Sequence, residues 1–250
     1  MKLKFERASL EYTCESILEC FDESQSMDFQ EYICKVYPTF DLEKIKKMDL
    51  VEKSKYIKRE VENLYNSQVS NINQRVNEYQ KEWDEIGTEI LKCYESIFNI
   101  DVDDIFKEFI VQVGLNPICP RYLSEYKFDC FYKLSTQGAI ENIIHELTHF
   151  VWFKIWEQVF TDWDRQSFEY PNIIWVFSEI VIDPILRDRR FEKYCTLEKP
   201  AYDYFYNIEI NKVSLIENIR NLYNQNTIQE FMIQGLEYCE TYKDLLTQHI

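Results

Sequence analysis

The chain has 250 residues, a formal net charge of −16 and 16% aromatic residues. The acidic balance excludes nucleic acid and anionic membrane surfaces as partners, because both repel a negative surface, and the aromatic content excludes a disordered chain. Four glycines and six prolines are too few for a many-turned all-β fold and favour long helices.

The opening stretch, MKLKFERASLEYTCESILEC, has no apolar core ahead of its acidic residues, so no secretory signal is expected. The first 40 residues read as one or two short helices ending near Pro38. From about Asp41 to Ile97 the apolar positions Val51, Tyr56, Ile57, Val61, Leu64, Tyr65, Val69, Ile72, Val76, Tyr79, Trp83 and Ile86 recur in steps of three and four. That spacing, with charges between, predicts one long amphipathic helix, with Gly87 marking a bend.

The period changes after Asn99. FIVQVGL (Phe109 to Leu115) and YKFDCFYKL (Tyr126 to Leu134) alternate and predict two strands, separated by the breaker NPICP. Ser135 or Thr136 suits the cap of the next helix, which contains IENIIHELTHFVWFKIW. A turn region, TDWDRQSFEYP, precedes NIIWVFSEIVIDPILRDRRF, with Pro171 at the first helical position. Pro184 either kinks that helix or, with Asp183 as cap, starts a new segment. The tail from Tyr206 to Ile250 reads as helical with a break near Gly235. The expected fold is α+β, mainly α: a helical region over residues 1–98, then a domain over 99–250 with a small sheet and a helical second half.

The apolar runs near Phe150 and Ile173 are interrupted by Lys154, Glu157, Glu179 and Asp183, short of the ~18 apolar residues of a membrane span. Eight scattered cysteines without a C-x-x-C pair read as reduced, mostly buried thiols, and with the missing signal they predict a cytoplasmic protein.

Two of the three histidines, His145 and His149, lie one helical turn apart, with Glu146 directly after the first. Their side chains share a helix face, which suits two imidazole nitrogens on one Zn²⁺ ion. Glu146 lies about 100° round the helix from His145, suited to reach a water held by the metal rather than the metal itself. This is H-E-x-x-H, two ligands plus a general base. Composition alone gives the match with odds of about 0.003, and burying two imidazoles and a carboxylate without partners is costly, so a metal site is the better reading than two core histidines.

A further carboxylate pair stands downstream. Between Ile173 and Leu186 the only polar side chains besides Trp175 are Ser178, Glu179 and Asp183. Two carboxylates in so apolar a run need partners, which a metal and an imidazole N–H would supply. A salt bridge to Arg187 or Lys154 is the bland alternative. Glu169, twenty residues past His149, is the rival ligand but has no Asp four residues later.

Over Ser135 to Asp183 the chain resembles the zincin metallopeptidases, and HELTH matches the motif letters of the thermolysin group. The metzincin subtype is excluded, since Trp152 and Ile155 stand where it needs Gly and a third His. SEIVID resembles the E-x-x-x-D of the gluzincins. The resemblance implies a zincin core with YKFDCFYKL as a substrate-holding edge strand, Glu179 as third zinc ligand, and Asp183 hydrogen-bonded to a zinc-bound histidine. It also implies a peptide or protein substrate hydrolysed by a metal-held water, with Glu146 as base. Thermolysin-like enzymes stabilise the oxyanion with a His and a Tyr; with no internal histidine left, a tyrosine (Tyr202, Tyr204, Tyr206) or an arginine (Arg187, Arg189, Arg190) must serve. Glu141, one turn before His145, is either a supporting group or a solvated helix start, and His249 is expected in a solvated tail. The alternative to a peptidase is a non-catalytic protein of zincin fold that uses its long helix to bind a partner.

Overall fold

The computed structural model describes residues 1–22, 25 and 27–248, so His249 lies outside the described residues. In chain order they form β1 (Lys2–Arg7), α1 (Leu10–Glu19), α2 (Met27–Val36), α3 (Leu42–Ile45), α4 (Leu50–Phe98) and α5 (Val102–Ile105). Strands β2 (Glu108–Gly114), β3 (Arg121–Tyr122) and β4 (Lys127–Phe131) follow, then α6 (Thr136–Val159), α7 (Ile173–Ile180) and α8 (Ile182–Leu186). A hairpin of β5 (Glu209–Ile210) and β6 (Val213–Ser214) precedes α9 (Leu215–Gln225), α10 (Ile228–Thr241) and α11 (Lys243–Thr247). The fold is mainly helical with small sheets, as the scarcity of turn residues predicts. No described helix is long and apolar enough to cross a membrane.

Two compact units emerge, Met1–Ile86 with Lys107–Ala139, and Gly87–Phe106 with Ile140–Ile250. Neither is one run of chain.

The first unit is built on a four-stranded sheet of order β1-β2-β4-β3, parallel except for the β3–β4 pair. Phe109, Val111 and Val113 of β2 are buried and alternate with the part-exposed Ile110 and Gln112, the period-2 pattern of a strand. Gly114 ends β2 where a Cβ would stand 2.8 Å from the Ala8 Cβ, too close for any side chain. Strand β1 corrects the all-helical expectation for the first 40 residues. Its alternation, with Leu3 and Phe5 buried and Lys2 and Lys4 exposed, is that of a charged edge strand. The Gln80 side chain covers that edge: its Oε1 accepts from the Phe5 N–H at 3.0 Å and its Nε2 donates to the Leu3 carbonyl.

A second correction concerns β4. The resemblance places a substrate-holding edge strand at Tyr126–Leu134, but β4 lies inside the sheet, between β2 and the short β3. Helix α4 starts at Leu50 rather than near Asp41. Asp41 caps α3 by accepting from the Lys44 N–H, and Asp49 accepts from Val51 and Glu52, so two caps make two helices. Gly87 introduces no break in α4. In the first unit α4 buries Ile57, Val61, Tyr65, Ile72, Tyr79 and Trp83, and three of its polar side chains tie it down: Gln80 on β1, the Tyr65 hydroxyl on the Ala8 carbonyl and the Tyr79 hydroxyl on the Leu134 carbonyl, both at 2.7 Å.

In the second unit α10 and α11 pack on α7, while α9 packs on α8 and α10. Trp152 of α6, Phe177 of α7 and Phe231 of α10 form an edge-to-face cluster with ring centroids 5.3–5.9 Å apart. The break expected near Gly235 is absent, and α10 runs through it. The residue is glycine because a Cβ there would stand 2.3 Å from Cζ of Phe177, a ring locked in that cluster. The hairpin interrupts the tail expected to be wholly helical, with Asn211 and Lys212 at its turn in the left-handed region. A Gly235→Ala variant gains about 1 kcal/mol of helix propensity but meets an overpacking cost of about 1–3 kcal/mol. We expect a net loss of up to about 2 kcal/mol, measured as a lower urea midpoint at unchanged slope. An unchanged or raised midpoint would show that the Phe177 ring gives way freely.

No disulfide joins the cysteines among the described residues. Four are buried and four are half-buried, so burial is less complete than expected. Burial pushes the Cys34 thiol up to about 11 and the Cys20 thiol up to about 12, which leaves both as protonated thiols near neutral pH.

Candidate metal centre

Helix α6 begins where expected, with the Ser135 hydroxyl accepting from the Gly138 N–H at 3.0 Å. Its middle turn is fixed by buried hydrogen bonds. Thr148 donates back to the Ile144 carbonyl at 2.7 Å, and the Tyr94 hydroxyl of α4 lies 2.5 Å from that carbonyl and 3.0 Å from the Thr148 hydroxyl. Ile144 immediately precedes His145, so these bonds hold the backbone that carries the two histidines. One turn earlier, Glu141 is buried and its Oε1 accepts from the Thr196 N–H at 2.8 Å and hydroxyl at 2.9 Å. It is a supporting group for the 195–199 loop and not a solvated helix start.

The two imidazole rings meet edge to face, with Nε2 of His145 and Nε2 of His149 3.1 Å apart. Glu179, on α7, completes a triangle: its Oε2 is 3.5 Å from the first nitrogen and 3.4 Å from the second. Glu179 reaches this place because α7 is apolar almost throughout and packs inward, and because the helix breaks at Val181 just after it. Pro184, lacking an N–H for the Ile180 carbonyl, explains that break. The new helical segment starts at Ile182, so Asp183 lies inside it and is not its cap. Pro171 stands two residues ahead of α7, whose cap is Asn172.

His145, His149 and Glu179 form a cluster suited to a metal ion. A point equidistant from the three donor atoms lies about 1.9 Å from each, close to the ~2.0–2.1 Å that nitrogen and oxygen ligands would keep from a zinc ion. The side chains of His149 and Glu179 are 0% and 1% exposed, that of His145 23%. His145 is therefore the solvent-exposed member of the cluster, and His149 and Glu179 are closed off from solvent. Glu169, the rival carboxylate, is exposed at the end of a short 3-10 turn and is not in the cluster.

Glu146 is buried on the same helix and is not one of the three clustered residues. Its Oε1 lies 3.5 Å from the amide nitrogen of Asn142, one turn back. Asp183, fully buried, has partners other than the expected histidine. Arg220 of α9 donates Nε to its Oδ1 at 2.6 Å and Nη2 to its Oδ2 at 2.9 Å. The Tyr206 hydroxyl at 2.6 Å and Arg187 Nε at 3.1 Å complete the set on Oδ2. Arg187, considered as an ion-pair partner for Glu179, is bonded to Asp183 instead. Arg220, the strongest partner, lies thirty-seven residues away with no local signal to announce it.

The tyrosines and arginines considered for an oxyanion also separate. Tyr202 is exposed, Tyr206 is committed to Asp183, and Arg190 donates to Asp188 and Ser96. Tyr204 differs. Its buried hydroxyl has no hydrogen-bond partner among the described residues. Burial first, and then the carboxylate of Glu179, raise its pKa well above the ordinary tyrosine value, so it stays a neutral O–H donor.

No family model matches the chain, and neither a curated protein nor a solved structure is significantly similar to it.

Proposed function

We propose that the protein is a zinc-dependent peptidase of the zincin type, with His145, His149 and Glu179 as metal ligands, Glu146 as general base and a peptide or protein as substrate. The observation that carries this reading is the triangle of two imidazole nitrogens and one carboxylate oxygen, in which His149 and Glu179 are closed off from solvent and His145 is the solvent-exposed member. A set of two nitrogens and one oxygen suits zinc better than the all-oxygen cations calcium and magnesium. Three protein ligands with one position left over is the pattern of a catalytic zinc site; a structural site uses four.

A bound zinc ion would supply Lewis-acid polarisation of the scissile carbonyl and lower the pKa of a water. The chain's own residues do the rest. Glu146 adjoins His145 on α6 and stands outside the ligand triangle, and its carboxylate takes the proton of the attacking water and returns it to the leaving amine. Asp183 is held by Arg220, Arg187 and Tyr206 and fixes the segment that follows Glu179, which positions that ligand from behind. Tyr204, with its uncommitted O–H on the Glu179 side, donates to the oxygen on which negative charge develops.

The full chain, loaded with zinc, is expected to hydrolyse members of a mixed peptide library and to stop when the metal is chelated. Absence of cleavage by the loaded protein would refute the peptidase reading. A Tyr204→Phe variant is expected to keep its zinc and lose about 10²-fold or more in kcat, the usual scale for one oxyanion donor. Unchanged kcat in that variant would remove Tyr204 from the reaction and leave the rest standing.

A further inference from the structure

Four of the chain's nine arginines line one cavity. It has a volume of about 660 Å³, lies wholly within the second unit, and takes Arg187, Arg189 and Arg190 from the segment after α8 and Arg220 from α9. In a chain whose acidic residues outnumber its basic ones by 44 to 28, such a convergence of guanidinium groups needs a cause.

Internal ion pairs account for half of it. Asp183 takes Arg220 and the Nε of Arg187, and Asp188, which also lines the cavity, takes Arg190 through Nε and Nη2. Among the lining side chains and the carboxylates bonded to them, two carboxylates against four guanidinium groups leave an excess of two positive charges, with Glu217 a further negative charge acting on Arg220 from outside the lining. The donors left over are identifiable. The terminal nitrogens of Arg187 and Nη1 of Arg220 are in no hydrogen bond with a described residue, and Arg189 is exposed with no ion pair or hydrogen bond among them. The lining also includes the polar side chains of Asn224, near the end of α9, and Thr227, the cap of α10. Glu230, whose carboxylate accepts from the N–H and hydroxyl of Thr227, is in no ion pair with Arg189 and does not line the cavity.

We propose that this cavity binds a small organic phosphate. A phosphate monoester carries about −1.5 to −2 at neutral pH, which matches the excess of two charges. Its three outer oxygens suit arginine forks, which bind phosphate bidentately. The volume falls in the range of small-molecule sites and is too large for inorganic phosphate alone, so an organic portion fills the part lined by Tyr223 and Ile228. The site is separate from the metal cluster and does not depend on the peptidase reading.

The test is calorimetric titration of the full chain with glucose 6-phosphate and, in parallel, with inorganic phosphate, at constant ionic strength. Saturable binding of the sugar phosphate, one per chain, is expected. Arg189→Gln, at a position with no internal partner to lose, should keep the fold and weaken binding roughly tenfold or more, the scale of one charge-assisted hydrogen bond. His145→Ala should leave binding unchanged, which distinguishes the cavity from an anion sitting on a metal. No saturable binding in the millimolar range would overturn the proposal. So would binding that is lost in His145→Ala and kept in Arg189→Gln, or a site that takes inorganic phosphate and excludes the sugar phosphate.

Discussion

Glu146→Gln is expected to retain its full complement of zinc and to lose about 10²–10⁴-fold in the rate of peptide hydrolysis. The amide has nearly the shape of the carboxylate, so packing around this buried position is preserved. What it loses is the ability to accept a proton from water. The variant separates chemistry from metal binding because Glu146 stands outside the triangle formed by His145, His149 and Glu179. Metal content and initial rates measured on the same preparation check both halves. Full activity would sink the general-base role, and loss of zinc would make Glu146 a ligand.

The second large effect is on the metal itself. Removing one donor from three leaves two, and His149→Ala or Glu179→Ala is expected to abolish stoichiometric zinc binding and with it all hydrolysis. Stability should move as well. An ion that binds only the folded chain, at a free concentration a thousandfold above its dissociation constant, adds about 4 kcal/mol. For a chain of this size that is roughly 8–16 °C in Tm. Chelation should therefore lower the Tm of the parent by that order and leave the two variants unmoved. A parent whose Tm ignores both zinc and chelator would contradict a folded-state metal site.

The parts of this molecule that sequence made legible are those whose signal is local. H-E-x-x-H puts two imidazoles on one helix face by spacing alone, and Glu179 stands out because it is a carboxylate in an apolar run; both end up in one cluster. The long helix α4 was readable from its three- and four-residue steps, and β2 and β4 from alternation. Long-range partners were not readable. Asp183 had the right distance from Glu179 to suggest a bond to a histidine, yet Arg220 and Tyr206, brought in by α9 and the segment before it, occupy its oxygens. Gly235 looked like a helix end because glycine disfavours helices; the reason for it is the Phe177 ring, fifty-eight residues away. Strand β1 carried a readable alternation, but six residues, four of them charged, gave too short a signal against a helical background. The β5–β6 hairpin lacked the usual Asn-Gly turn, using Asn211 and Lys212 instead. Tyr204 could not be told from Tyr202 and Tyr206 by sequence, since the three differ only in what the fold puts against each hydroxyl.

The central claim is that three side chains from two helices hold one zinc ion. It is tested most directly by elemental analysis of the purified full chain beside Glu179→Ala, both loaded with zinc and desalted. One zinc per chain is expected in the parent and no stoichiometric zinc in the variant. Equal zinc in the two proteins, or none in the parent, would contradict it.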